Sequence, residues 1–491
     1  MSSLILHKQL QLSPPSDDDR RAHDERVRDA LGLGPLTIPL SVLARLGGHV
    51  NARHATLNCI VGSRERGYTL IEVGSSVSWS IALDLGTTNM AVLLYDNIAG
   101  SVKRRMSFEN PQIAFGSDIL TRMHHAMSPR GREVYDVLKK GINSAIRSIC
   151  EAAGVSSRDV HALALAGNTV MSHFFLGLDI STIPVDPFVP VVRNPGFFTA
   201  AELALDLNPE ALIYVFPNAG SYVGGDIVAG ILSTGLYRSE LPSVLIDVGT
   251  NAEVVIGTRD WMIVGAGAAG PALEEGISRI GKRASKGIIY DVQISGQDVT
   301  CKTFDEQKPE GICGSGMVSL LHALYNARII DPSGSLDGAA PGVTAVDGEP
   351  AYAIPCGDEP LVIRQSEIQN FMKSKAAMFT LLLVLTRAVG IAFRDVAQIF
   401  VSGALGAGID ANKAAAVGML PAWPARIVSA RGNTSLDGAL MLLRDAGLLE
   451  TIGNLIGKIT YKHMHDDPEF MKEFLGAVFI PHTNPELLKA E

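Results

Sequence analysis

The sequence predicts a mixed α/β protein whose core is built twice, as two lobes around a central cleft, with a small α/β domain ahead of them. Three observations carry that prediction. Two short apolar runs, residues 81–85 and 244–248, each contain an Asp followed two residues later by a Gly, and each passes through a turn into a second strand-like run. Gly-Asn turns at residues 167–168 and 432–433 follow these loops in turn, so the loop order repeats along the chain as an internal duplication would make it. A chain of 491 residues, 47% hydrophobic and carrying 49 glycines, is too long for one core and has the composition of a turn-rich globular protein.

Residues 1–78 form a separate region by pattern. A polar, proline-rich break at residues 13–19 ends in helix-capping acids, and charges at helical spacing follow over residues 20–31. Residues 36–46 read as a strand entering a short helix, and residues 55–61 and 68–73 as a hairpin. No pattern here carries chemistry, so a docking role is expected.

Residues 79–241 are expected to form the first lobe, opening on Asp84-Leu85-Gly86-Thr87-Thr88-Asn89. A Gly at the bend lets consecutive N–H groups face one concavity and hold a phosphate. Thr87, Thr88 and Asn89 add short polar groups beside it, and Asp84 is suited to hold Mg²⁺ through water. Residues 109–112 interrupt the pattern. Residues 132–153 then read as an amphipathic helix, and residues 160–166 as a buried strand running into the first Gly-Asn turn. His173 has no partner at ligand spacing and reads as a core histidine. After a proline-rich surface loop at 183–195 and a strand at 213–216, a glycine-rich stretch leads to Asp226 at a helix start. As a cap Asp226 satisfies backbone N–H groups; as a catalytic group it orients or deprotonates the nucleophile that attacks a γ-phosphate.

Residues 242–491 are expected to form the second lobe with a C-terminal extension. Its phosphate loop is Asp247-Val248-Gly249-Thr250-Asn251, with Asp247 the second candidate for Mg²⁺. A glycine-rich run at 265–276 is weak evidence for a ligand loop, because glycines also serve close packing. The turn at 311–316, with Gly314 in it, opens a helix over residues 317–327, and a helix N-terminus preceded by small residues suits a phosphate or nucleoside, with Cys313 a small buried residue. A long helix spans 365–387, and a strand at 399–402 ends in a glycine turn where Gly403 and Gly406 let a base and ribose pack on backbone.

A formal charge of −9 argues against a nucleic-acid partner, since phosphate backbones demand a basic surface. The five cysteines include no CxxC pair, which removes sequence support for a zinc ribbon or an Fe–S cluster held by this chain; an odd, scattered set reads as reduced cytoplasmic thiols. The N-terminal residues lack the apolar core of a signal peptide. The most apolar stretch, 376–393, contains Arg387, so a buried helix explains it better than a membrane span.

The ordered loops resemble the actin, sugar-kinase and heat-shock-chaperone ATPase superfamily over residues 79–450. That resemblance makes 84–89 and 247–251 the two phosphate motifs and 402–406 the adenosine motif, in a duplicated actin-like ATPase fold. The wording around the loops, Asn110-Pro111-Gln112, residues 166–171, Gly224-Gly225-Asp226, residues 246–253, 311–316 and Ile480-Pro481-His482, resembles the ATP-dependent reductive activators of corrinoid proteins from about residue 30 onward. The resemblance implies an ATPase using ATP and Mg²⁺ to return a partner's corrinoid from Co(II) to Co(I). Members of that family commonly carry a ferredoxin-like Fe–S domain. Here the electron is expected from a separate ferredoxin-like donor or from a part of a longer chain, and the corrinoid on a partner protein, with a homodimer among the assemblies the likeness admits. The two rival readings are a small-molecule kinase using Asp226 as base, and a nucleotide-sensing scaffold without turnover.

Overall fold

The computed structural model describes residues 3–12, 15–50, 55–116, 118–249, 252–267, 279–282, 284–357, 359–403, 405, 408–464 and 467–490. Thr250, Asn251, Gly406 and most of the 265–276 run lie outside them. By its contacts the chain divides into two units, Met1–Ser233 with Ser435–Gly457, and Thr234–Thr434 with Lys458–Glu491.

The first unit opens with a four-stranded sheet made of β1 (Ile5–Leu12), β2 (Leu36–Thr37), β3 (Ala55–Ser63) and β4 (Tyr68–Val73), in the order β1-β3-β4-β2. Helices α1 (His23–Leu31) and α2 (Leu40–Val50) cover it, and Val27, Val42, Leu46, Cys59 and Leu70 form a core of its own. This layer is fastened to the rest of the unit. Leu4 N–H donates to Leu443 O at 3.0 Å, and Glu72 accepts from His161 Nε2 at 3.0 Å, Asn208 Nδ2 at 2.6 Å and Arg45 at 2.8 Å. Burial raises the Glu72 pKa, but the hydrogen bonds from His161 and Arg45 outweigh it and hold the carboxyl below its usual value.

Next come β5 (Trp79–Leu85), β6 (Asn89–Asp96), β7 (Ser101–Glu109), α3 (Ile119–Ala126), α4 (Arg132–Ala153), β8 (Val160–Gly167), α5 (Thr169–Leu176), β9 (Gly196–Thr199), β10 (Leu212–Val215) and α6 (Gly225–Thr234). The six strands run β7-β6-β5-β8-β10-β9: an antiparallel meander, then parallel β8 and β10. Strand β8 is buried along its whole length, as a parallel strand covered on both faces should be. Val134, Leu138, Ile142, Ala145 and Ile149 make one apolar face of α4, and Gly154 ends that helix in the left-handed conformation at φ 69°.

The second unit contains β11 (Ser243–Val248), β12 (Ala252–Gly257), β13 (Met262–Gly267), β14 (Ile288–Ser295), β15 (Asp298–Thr303), β16 (Gly311–Ile312), α7 (Gly314–Asn326), β17 (Val343–Val346), β18 (Glu349–Ile354), β19 (Leu361–Arg364), α8 (Gln365–Ala388), β20 (Gln398–Gly403), α9 (Ala411–Ala416) and β21 (Val428–Ala430). The chain then gives α10 (Thr434–Arg444) and α11 (Leu448–Ile456), which return to the first unit, and comes back with β22 (Ile459–Tyr461) and α12 (Pro468–Ala477). The main sheet runs β21-β20-β11-β12-β13-β22, and β15-β14-β16 and β17-β18-β19 are separate three-stranded sheets. Helix α8 is the apolar stretch read as a buried helix, and its residues from Ala376 to Leu385 are buried. Among the described residues no helix is long and apolar enough to cross a membrane.

One expectation fails. Cys301 on β15 and Cys356 beyond β18 are not reduced thiols but are joined as a disulfide, with Cα atoms 6.3 Å apart. Their separation of 55 residues hid the pairing, because folding, not spacing, brings the two strands' ends together. Cys59, Cys150 and Cys313 are free and buried.

Candidate functional site

In the first unit the loop between β5 and β6 is the expected first phosphate loop, and the strands on either side are paired up to Leu85 and Met90. A Cβ on Gly86 would stand 2.5 Å from Asn89 O, so the bend closes only around a glycine. Behind the loop lies a layer of polar groups. Asn110 Nδ2 donates to Gly86 O at 2.9 Å and Asn110 N–H donates to Thr88 O at 2.8 Å. Arg122 Nη1 donates to Thr87 O, and Asn168 Nδ2 donates to Thr87 Oγ1 at 3.0 Å.

The Gly-Asn turn is the joint that gathers the other pieces. Gly167 pairs with Leu85, and Asn168 caps α5 by accepting from Met171 N–H at 2.9 Å. A Cβ on Gly224 would lie 2.4 Å from Gly167 O, so the start of α6 packs directly on this turn. That brings Asp226 to the same end of the sheet as Asp84. Asp226 Oδ1 accepts from Ile227 N–H at 2.8 Å. The second Gly-Asn turn leads into α10, where Ser435 Oγ donates to Asp84 Oδ1 at 3.0 Å. Helix α10 crosses α6 closely: a Cβ on Gly438 would be 2.1 Å from Ala229 O. His173 is fully buried, its Nδ1–H donating to Thr169 O at 2.7 Å, and burial lowers its pKa; it is a core residue.

In the second unit Asp247 and Gly249 stand at the end of β11, with Glu253 opposite Asp247 on β12 and Ser402 beside it on β20. Gly403 has φ 70°, and a Cβ there would come 2.2 Å from Val248 O and 2.6 Å from Asp247 Oδ1. Only glycine fits this contact between the two strand ends.

Beyond Gly403 the chain lines a cavity of about 430 Å³, a volume typical of small-ligand sites. Tyr290, Val318, Ile409 and Val428 give it apolar walls, and Ser315 from the start of α7 faces it. Gly314 is at that helix start, and the buried Cys313 occupies the N-cap position without a side-chain capping hydrogen bond. The polar side of the cavity is a linked set: Ser319 Oγ donates to Asp291 Oδ1 at 2.7 Å, Lys413 Nζ donates to Ser319 Oγ at 2.7 Å, and Lys413 also pairs with Asp291. Burial raises the Asp291 pKa, but hydrogen bonds from Lys413 and Ser319 hold it below the usual value. Asp291 is therefore ionised at neutral pH.

The structure brings together Asp84, Gly86, Thr87, Thr88, Asn89 and Asp226 in one unit, and Asp247, Gly249, Gly314 and Gly403 in the other. Sequence reading missed Arg122, Ser435, Asp291, Ser319 and Lys413. For Arg122 a signal existed: with Ile119 and Met123 it falls on the apolar face of α3.

A family model described as the C-terminal domain of RACo, the ASKHA domain, matches residues 242–490, and one described as the RACo middle region matches residues 79–239. The corrinoid activation enzyme RamQ of Eubacterium limosum is 29% identical over 417 residues, covering 81% of this chain and 69% of that protein. The [Co(II) methylated amine-specific corrinoid protein] reductase of Methanosarcina barkeri is 26% identical over 424 residues, covering 79% and 74%. A solved structure of a reductive activator for a corrinoid, iron–sulfur protein superposes with a TM-score of 0.94 at 31% identity, covering 99% of this chain and 80% of that one.

Proposed function

The chain belongs to the family of reductive activators of corrinoid proteins, and from that premise we propose that ATP binding and hydrolysis drive its work. It returns a corrinoid protein from Co(II) to Co(I), a one-electron reduction of the cobalt. The observation that carries the ATP part is the pair of Asp-X-Gly hairpins, each on the central strand of a six-stranded sheet of the same internal order.

In this reading Gly86, Thr87, Thr88 and Asn89 are the phosphate contacts of the first unit, and Gly249, Thr250 and Asn251 are those of the second. The adenosine occupies the cavity between α7 and the turn after Gly403, with Gly403 and Gly406 giving the base and ribose access to backbone. Ser319, Asp291 and Lys413 supply its polar edge. Gly314 and Ser315 add the positive end of a helix.

Among the described residues no cluster of three or more His, Cys, Asp or Glu is placed to grip a metal unaided. A Mg²⁺ needs no such cluster, because it keeps several waters and takes phosphate oxygens. Single carboxylates at the two loops, Asp84 and Asp247, suit that role, and Mg²⁺ there would neutralise charge on the phosphates. Asp226, in the first turn of α6, whose start packs on the Gly167–Asn168 turn, positions the attacking water. Binding and hydrolysis then favour different conformations, and differential affinity for them acts on the corrinoid partner.

The electron is assigned to a separate ferredoxin-like Fe–S donor. Cys301 and Cys356 are tied to each other, and burial pushes the Cys59 and Cys150 thiols up to about 12 and about 11, far from the thiolate that binds iron. The test is ATP turnover with and without a Co(II) corrinoid protein. Turnover that rises with the partner, and that Asp226→Asn abolishes while ATP still binds, supports the reading. Phosphate appearing on a small-molecule hydroxyl, or no turnover at all, refutes it.

A further inference from the structure

We propose that Arg122 is a positioning residue for nucleotide use: from behind, it turns the first phosphate loop toward its ligand and supplies the fixed positive charge that the phosphates meet. The proposal rests on the reading that this loop takes ATP.

Arg122 is completely buried on α3. Its Nε donates to Gly116 O at 2.7 Å and its Nη1 to Thr87 O, while Nη2 has no hydrogen-bond partner. No carboxylate forms an ion pair with it among the described residues. The nearest acidic influence, Asp118, is occupied as the cap of α3, accepting from Thr121 N–H at 2.9 Å and from Thr121 Oγ1 at 2.7 Å. Burial lowers the Arg122 pKa to about 10, which leaves the guanidinium charged at neutral pH. An unpaired buried charge is costly, and an orphaned donor adds to the cost. A structural role does not account for this, because a neutral donor would serve both carbonyls at less expense.

The geometry of the loop supplies a reason. The carbonyls of Gly86, Thr87 and Thr88 are each held by a donor from the layer behind: Asn110 Nδ2, Arg122 Nη1 and Asn110 N–H. In a planar trans peptide the carbonyl and the next residue's N–H point in opposite directions. Fixing those three carbonyls therefore directs the N–H dipoles of Thr87, Thr88 and Asn89 away from the layer and toward the ligand side. Asn110 clamps the first and third, and Arg122 the middle one. Because the middle clamp is a cation, it adds net positive potential to a loop that otherwise carries only the negative Asp84. A polyphosphate is the anion that completes this arrangement, adding the compensation that Asp118, held as the cap of α3, does not supply by direct contact.

The test compares ATP with adenosine on the full chain and its variants. Arg122→Gln keeps donors and loses the charge; Arg122→Lys keeps the charge and cannot reach both carbonyls. By calorimetry Arg122→Gln should weaken ATP binding about tenfold or more and leave adenosine binding within twofold of wild type. Arg122→Lys should fall between the two, and it carries the test alone if the glutamine variant does not fold. Wild-type affinity for ATP in Arg122→Gln, or equal losses for ATP and adenosine, overturns the proposal. A wild-type chain that binds adenosine but not ATP overturns the ATP reading itself, before any variant is made.

Discussion

The two units share one strand order and elaborate it differently. In each, three antiparallel strands are followed by two parallel ones, β7-β6-β5-β8-β10 in the first and β13-β12-β11-β20-β21 in the second, and a helix follows the fifth strand. The second helical residue is Asp226 in α6 and Ser435 in α10. The elaborations differ. Behind its loop the first unit carries the polar clamp of Asn110, Arg122 and Asn168. The second brings a strained glycine against its loop and builds an apolar cavity with one charged edge. The two units share a frame, and in the proposed function the residues placed between the common strands give the first unit a phosphate loop alone and the second a phosphate loop with an adenosine cavity.

Breaking that division at its acid end should have the largest effect. Asp226→Asn should lower ATP hydrolysis about 10²-fold or more, with ATP affinity within a few-fold of wild type. Ser435→Ala, at the equivalent position, should lower it far less. Comparable losses would show that the two helices are not specialised.

The glycines that end β8 and β20 offer a second comparison. At Gly403 an alanine meets both a positive φ and the Asp247 carboxylate, whereas at Gly167 it meets Leu85 O at 2.8 Å without the positive φ. Gly403→Ala should therefore cost about 2–4 kcal/mol in denaturant unfolding, and Gly167→Ala about 1 kcal/mol less. The reverse order would contradict the geometry.

The charged edge of the cavity sharpens the adenosine assignment. Lys413→Met leaves Asp291 with only Lys302, 3.6 Å away, as a cation, removes the donor to Ser319, and should weaken ATP and adenosine alike by about tenfold. Arg122→Gln is expected to separate the two ligands, so the pair of variants distinguishes the first phosphate loop from the cavity.

The smallest effect concerns the N-terminal sheet, which has no counterpart in the second unit. Glu72 has a lowered folded pKa, so its contribution is present above the usual value of 4.5 and is lost as pH falls through the folded value. At pH 7 Glu72→Gln should be less stable than wild type by about 1 kcal/mol, and acid titration of both should close the gap below pH 4.5. A gap that widens in acid would show that the carboxylate is not held by His161 and Arg45.

Much of this fold was legible in the chain because its strands are short apolar runs stopped by Gly and Asp. The span of α4, residues 132–153, and the hairpins around Asp84 and Asp247 follow from that pattern alone. What escaped was whatever depends on long-range contact. Strand β1 mixes Lys8, Gln9 and Gln11 with its apolar residues, so it shows no clean alternation until β3 pairs with it. The return of α10 and α11 to the first unit is set by packing at Gly438 and by the Ser435–Asp84 bond. The site was legible where backbone made it, at the loop glycines. It was hidden where side chains from distant elements converge, as with Asp291, Ser319 and Lys413.

The central claim, ATP-driven reduction of a corrinoid partner, is tested most directly by following cobalt itself. The chain, a Co(II) corrinoid protein and a low-potential ferredoxin would be mixed anaerobically, and the Co(I) absorbance recorded with ATP and Mg²⁺, with a non-hydrolysable analogue, and without nucleotide. The account predicts Co(I) only with ATP, and none with Asp226→Asn. Co(I) forming equally without nucleotide, or never forming while ATP is hydrolysed, would contradict it.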